Sequence, residues 1–169
     1  MKHLSIYRNR AVRNLETGEI GTLITGSDQE AGDCKSCRVH VDLGDGAYWI
    51  SNDLTDDDFD YEWEILEYGI NKYNQTIHIG DILFMPIRPN KYFSKDESWV
   101  ARVNDIGQFG VTLRYVNWKR KGGGTTYSFG LDDINLLRTD DERGLRKATK
   151  EEVDYFHKRT DGRYLNGEK

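Results

Sequence analysis

The chain has 169 residues, 12% of them aromatic and 31% charged, and a net charge of −5. A chain of this length buries roughly 70% of its extended-chain surface, so it needs no disulfide staples. Its aromatic content excludes a disordered chain, and its two cysteines are too few for a secreted disulfide framework. No stretch approaches the ~18 apolar residues needed to cross a bilayer. The opening MKHLSIYRNRAVRN lacks the apolar run of a secretory signal, so a cytoplasmic protein with no membrane contact is expected. The charge is unevenly spread: residues 1–76 hold 7 Lys and Arg against 15 Asp and Glu, and residues 77–169 hold 17 against 14. An acidic front half and a mildly basic back half imply surfaces with different partners, or halves that attract one another.

In chain order, AVRNLETGEIGTLIT (11–25) reads as strand, turn, strand, broken at Glu16-Thr17-Gly18. SDQEAGDCKSC (27–37) is a polar loop, and CRVHVDL and AYWIS then form a hairpin about Gly44-Asp45-Gly46. The stretch DFDYEWEI (58–65) alternates strictly, with Phe59, Tyr61, Trp63 and Ile65 on one face of a predicted strand. Those four residues are expected to anchor the first core. GINKYNQT (69–76) reads as a connector. ILFMPI follows Gly80-Asp81 as an apolar strand, and WVARVND and VTLRYVNW flank a turn at Gly107 and Gly110. KRKGGG (119–124) is a hairpin tip from which TTYSFGL returns, RTDDERGLRKA (138–148) is a charged connection, and a helix is expected near 150–159. Thr149 and Glu152 have the spacing of a capping box, and Val153, Tyr155 and Phe156 would face the sheet. GDGAYWISNDL (44–54) and GTTYSFGLDDI (124–134) share a rhythm of glycine, aromatic strand and acidic turn, a hint of a duplicated unit.

The stretch VRNLETGEIGTLI…VDLGDGAYWISNDL resembles small SH3-like barrels, in which a TGEIGT turn joins the first strands. IGDILFMPI, LDDINLL and LRKATKEEV resemble segments of short proteins of phages and mobile elements. The resemblance implies a fold and a genomic setting, which for a phage-encoded chain is the host cytoplasm; it assigns no functional residues. The expected fold is mainly β: an acidic SH3-like barrel over 1–68, a second barrel over 77–148, the two either separate or fused, and a C-terminal helix over 149–160.

Three features are candidate sites. On the predicted strand Asp58, Asp60, Glu62 and Glu64 would form a carboxylate row about 20 Å long, preceded by Asp56 and Asp57. Such a row could imitate a nucleic-acid backbone or dock on a basic protein, or it could be a solvated face that keeps an edge strand from pairing. The tip with Lys119, Arg120 and Lys121, and with Trp118 and Tyr127 at its base, is the second feature. It does not match a phosphate-binding loop, where lysine follows the glycines, but it could grip nucleic acid through cations and stacked aromatics. Cys34, Cys37 and His40 form C-x2-C-x2-H, a zinc set that only His3 or His78 could complete through the fold. No nucleophile or dinucleotide motif is present. The expected function is therefore a non-enzymatic binding module without cofactors, whose acidic row docks on a basic, nucleic-acid-handling host protein and inhibits it. Nucleic-acid binding by the tip and a small enzyme without recognisable motifs are the alternatives.

Overall fold

The structure, a computed structural model, describes residues 4–25, 39–51, 59, 61–86, 98–136 and 145–165, with the side chains of 25, 50, 51, 125–127 and 162–165 left aside. The fold is mainly β, with one long helix at its C-terminal end. A 3-10 turn at Leu4–Tyr7 precedes β1 (Ala11–Asn14), β2 (Ile20–Thr25), β3 (Val39–Gly44), β4 (Ala47–Ser51) and β5 (Trp63–Ile65). These strands make an antiparallel sheet in the order β4-β3-β2-β1-β5. The ribbon β6 (Tyr68–Ile70) and β7 (Thr76–His78) follows, and then β8 (Ile82–Met85), β9 (Trp99–Gly107), β10 (Gly110–Asn117), β11 (Gly123–Phe129) and β12 (Arg146–Lys147). The second sheet runs β11-β10-β9-β8-β12. Each sheet is thus a four-strand meander whose fifth strand returns beside the first. Among the described residues neither closes on itself: β4 and β5 are the edges of one, β11 and β12 of the other.

The apolar pattern explains both layers. In the first sheet Val39 and Val41 on β3 point the same way as Leu23 on β2 and Val12 on β1, and they pack with Leu4, Phe59 and Trp63. The second sheet is buried on both faces, which is why ILFM is apolar throughout. Leu83 and Met85 join Trp99, Ala101, Val103, Val111 and Leu113 in the main core. Phe84, with Val100 and Val116, faces the other way and is covered by Phe156 of the helix α1 (Lys150–Leu165). The capping box forms as its spacing predicts: the Thr149 amide donates to Glu152 Oε1 at 2.8 Å and the Glu152 amide to Thr149 Oγ1 at 3.4 Å. Arg146 on β12 adds a two-pronged bond to Glu152, at 2.7 and 2.9 Å, which ties the helix start to the sheet.

Three sequence expectations are corrected. The alternating segment is not one strand: Phe59, Tyr61 and Glu62 are helical, and extended pairing begins only at Trp63. A turn of helix places Phe59 and Trp63, four residues apart, on one side, and their rings stack at 6.3 Å. Both are buried, Ile65 packs against the same cluster, and Tyr61 is left 81% exposed rather than in the core. The connector 69–76 holds the end of β6, the ribbon turn and the start of β7, and the charged connection 138–148 contains β12, paired with β8 through Arg146 and Phe84.

Candidate functional site

A cleft among the described residues follows from where the turns fall. Turns and strand ends from both sheets and the ribbon converge on a cleft of about 940 Å3. Ile20, Gly21, Thr22 and Ile24 of β2 and the Asp42–Asp45 turn form one wall. Ile70, Asn71, Lys72 and Asn74 of the ribbon turn, Gln108–Gly110 and the Gly130–Asp133 turn form the rest, with Arg8 and Asn9 between.

Glycine is needed at two of these places. A Cβ on Gly21 would lie 2.5 Å from Val41 Cγ1 and 2.7 Å from the Asp42 carbonyl, so a side chain there would push β2 away from β3. Gly110 sits at φ +92° with its α-carbon against the Phe129 carbonyl, a conformation and a closeness that exclude any side chain. The tight β9–β10 turn in front of it leaves Phe109 78% exposed beside the cleft.

Hydrogen bonds between the halves fix the floor. Asn9, at φ +74°, donates from Nδ2 to the Gly107 carbonyl at 2.9 Å. Arg10 donates from Nε to the Ile106 carbonyl at 2.7 Å and from Nη2 to Asp105 Oδ1 at 2.7 Å. The Lys72 amide donates to Asp132 Oδ1 at 2.8 Å. Asn71 is buried, accepts from the Tyr73 and Gln75 amides at 3.0 and 2.9 Å, and donates to the Ile134 carbonyl and to Gln75 Oε1.

Among the described residues the cleft carries four carboxylates, Asp42, Asp45, Asp132 and Asp133, against two cations, Arg8 and Lys72. Asp42 and Asp132 each spend one oxygen on a backbone amide, from Gly44 and Lys72. Among the described residues the lining contains no His, Cys or Ser, and it presents apolar contact from Ile20, Leu43 and Phe109 beside a net negative rim.

The sequence-based candidates fare differently. Asp56, Asp57, Asp58 and Asp60 lie outside the described residues. Glu62 and Glu64 are exposed, but the helical turn ends the straight row between them, since only Glu64 lies in β5. Glu64 is paired across the strands with Arg13, whose Nη2 donates to Oε2 at 2.7 Å; that bond raises the Arg13 pKa. Of the predicted row Asp58, Asp60, Glu62 and Glu64, the structure thus describes only the C-terminal end, where Glu62 lies in a helical turn and Glu64 is ion-paired.

At the tip, Lys119, Arg120 and Lys121 are exposed, while Trp118 is packed edge-on against Tyr155 at 4.8 Å and Phe84 at 5.8 Å. The Trp118 ring is partly buried against the Phe84–Phe156 cluster, with the Lys119 ammonium 5.1 Å from its centroid. The Tyr127 side chain lies outside the described residues, as do Cys34, Cys37 and His3. His40 sits on β3 with Nε2 buried and without a hydrogen-bond partner among the described residues. His78 is half exposed, 3.9 Å from Asp81. Among the described residues no group of three or more His, Cys, Asp or Glu could hold a metal, and no helix is long and apolar enough to cross a membrane.

The cleft itself was missed by sequence reasoning. Its carboxylates come in turn pairs some 90 residues apart, and nothing local distinguishes Asp42 or Asp132 from an ordinary turn acid. The duplicated rhythm reaches Asp132 and Asp133 in its second copy, but the acidic turn of its first copy is at Asp53 and does not single out Asp42. Comparison with protein-family models, curated proteins and solved structures finds no match.

Proposed function

We propose that the protein is a binding module whose cleft takes a cationic, partly apolar segment of a protein partner. The observation that carries this is the cleft's composition: an excess of carboxylates next to an aromatic side chain, Phe109, left 78% exposed on a rigid turn. Exposed aromatics on rigid elements are the usual anchors of interfaces, and unbalanced acids steer a basic partner and set its salt dependence. The basic partner expected from the sequence is retained, but its docking surface moves from the 56–64 segment to the cleft. The shared order of the two sheets supports reading each as an SH3-like unit, with the recognition surface at their junction.

The test uses a short peptide alternating arginine with leucine and two variants of the full chain. Asp45 lies at φ +51°, a conformation that Asn tolerates, so Asp45→Asn removes charge without straining the turn. Phe109→Ala removes the anchor. Phe109→Ala is expected to weaken peptide binding about tenfold, a loss of ~1.4 kcal/mol. Asp45→Asn is expected to weaken it mainly at low salt. Equal affinity for both variants and the parent chain would refute the cleft as the docking surface.

A further inference from the structure

Besides the cleft, the most organised charged feature is the β10–β11 tip, and its order comes from α1. Tyr155 donates from its hydroxyl to the Asn117 carbonyl at 2.9 Å. Arg159, one helical turn on, donates to the Arg120 carbonyl at 2.6 Å, the Gly122 carbonyl at 3.2 Å and the Tyr155 hydroxyl at 2.8 Å. Asn117 closes the turn from inside, its Nδ2 donating to the Lys121 carbonyl at 2.8 Å. The backbone from Asn117 to Gly122 is thereby held on both sides, and the three cationic side chains it carries all remain exposed. Among the described residues neither Lys119 nor Lys121 has an ion-pair partner.

The tip and the cleft occupy opposite ends of β10. Gly110 lines the cleft and Asn117 begins the tip, and the seven steps between them span about 24 Å. At physiological salt the Debye length is about 8 Å, so the cleft's carboxylates do not neutralise the tip. The net charge of −5 therefore says little about what the tip attracts.

The geometry points to a second binding surface, in which Lys119, Arg120 and Lys121 contact the phosphate backbone of duplex nucleic acid without reading sequence. A two-stranded ribbon fits the major groove, and the charge density of a duplex, about one per 1.7 Å, rewards even three cations through counterion release. Trp118 packs edge-on against Phe84 and Tyr155 and carries the Lys119 ammonium 5.1 Å from its ring centroid, so among the described side chains it is committed within the tip rather than to stacking on unpaired bases. An anionic membrane is disfavoured because the exposed side chains described at the tip are the cations Lys119, Arg120 and Lys121, with no apolar wedge among them.

The experiment measures anisotropy of a labelled mixed-sequence DNA duplex against the full chain over a salt series. Three phosphate contacts give a slope near −2.7 in log affinity against log salt, about a 40-fold loss between roughly 50 and 200 mM. Lys119 lies at φ +56°, so Lys119→Asn removes its charge in a conformation Asn accepts. Either Lys119→Asn or Lys121→Ala is expected to reduce the slope to about −1.8, a loss of about 12-fold over the same range. Asp45→Asn in the cleft should leave it unchanged, which separates this surface from the cleft. Absence of duplex binding at the lowest salt, a slope the lysine variants do not change, or binding to phosphatidylserine vesicles but not to DNA would each overturn the proposal.

Discussion

Asn71 ties the ribbon turn beside the cleft to Ile134, just past the Gly130–Asp133 turn. Its carboxamide uses both ends: Oδ1 accepts the Tyr73 and Gln75 amides, and Nδ2 reaches Gln75 Oε1 and the Ile134 carbonyl. Gln75 Oε1 in turn accepts the Leu136 amide at 2.9 Å. An alanine at 71 would leave two ribbon amides and a buried carbonyl without partners. Each unsatisfied buried group costs about 1–3 kcal/mol, so Asn71→Ala is expected to lower unfolding stability by at least that much in urea titration. A change below about 0.5 kcal/mol would show that water replaces the network. Nothing in KYNQ announces this role. The partners of Asn71 and Gln75 lie some 60 residues on, and only the fold makes a polar turn residue into a buried one.

At the scale of elements, the helix shows what local patterning can and cannot convey. Thr149 and Glu152 are three residues apart, so their reciprocal bonds were legible before any tertiary contact was known. Arg146 was not, because the strand it sits on is two residues long within a run of charges. The strands that were legible have alternating or continuous apolar runs bounded by glycine, as in VHVDLG and ILFM. The segment at 58–65 was misread because residues two apart and four apart are both apolar there, which satisfies a strand and a helical turn alike. Placing Tyr61 in solvent was the decision of the packing around Trp63, not of the pattern. Burial pushes the Glu152 carboxyl upward, but hydrogen bonds from Arg146 and from the amide and hydroxyl of Thr149 outweigh it and hold the pKa below the ordinary 4.5. Its ionisation therefore favours the folded state: the contribution is complete above pH 4.5 and is lost as the pH falls through the lowered value. Glu152→Gln is expected to reduce stability at neutral pH by about 1.5–3 kcal/mol and to flatten the acid-side decline of the urea midpoint. An unchanged acid limb in the variant would mean that Glu152 does not couple the helix to the sheet.

Across the whole molecule, two sheets of the same strand order meet at a junction made by Asn9 and Arg10 on one side and the β9 carbonyls of Ile106 and Gly107 on the other. Arg10 is only 15% exposed in its side chain and stacks on the Tyr7 ring, 4.9 Å from its centroid, whereas its partner Asp105 is 52% exposed, so the contact lies at the margin of the junction. The junction sets the acidic turn of the first sheet opposite the Gly130–Asp133 turn of the second, and that opposition is what makes a cleft. Among the described residues the acidic front half contributes Asp42 and Asp45 to it, and Asp132 and Asp133 come from the half that reads as basic. The central claim is that a cationic protein segment binds in this cleft, and amide chemical-shift mapping tests it most directly. Gly21, Gly44, Gly110 and Gly130 line the cleft, whereas Gly122 lies at the far end of β10. Titration of the labelled chain with the arginine–leucine peptide is expected to shift those four amides and leave Gly122 in place. Shifts centred on Glu62 and Glu64, or no shifts at all at low salt, would contradict it.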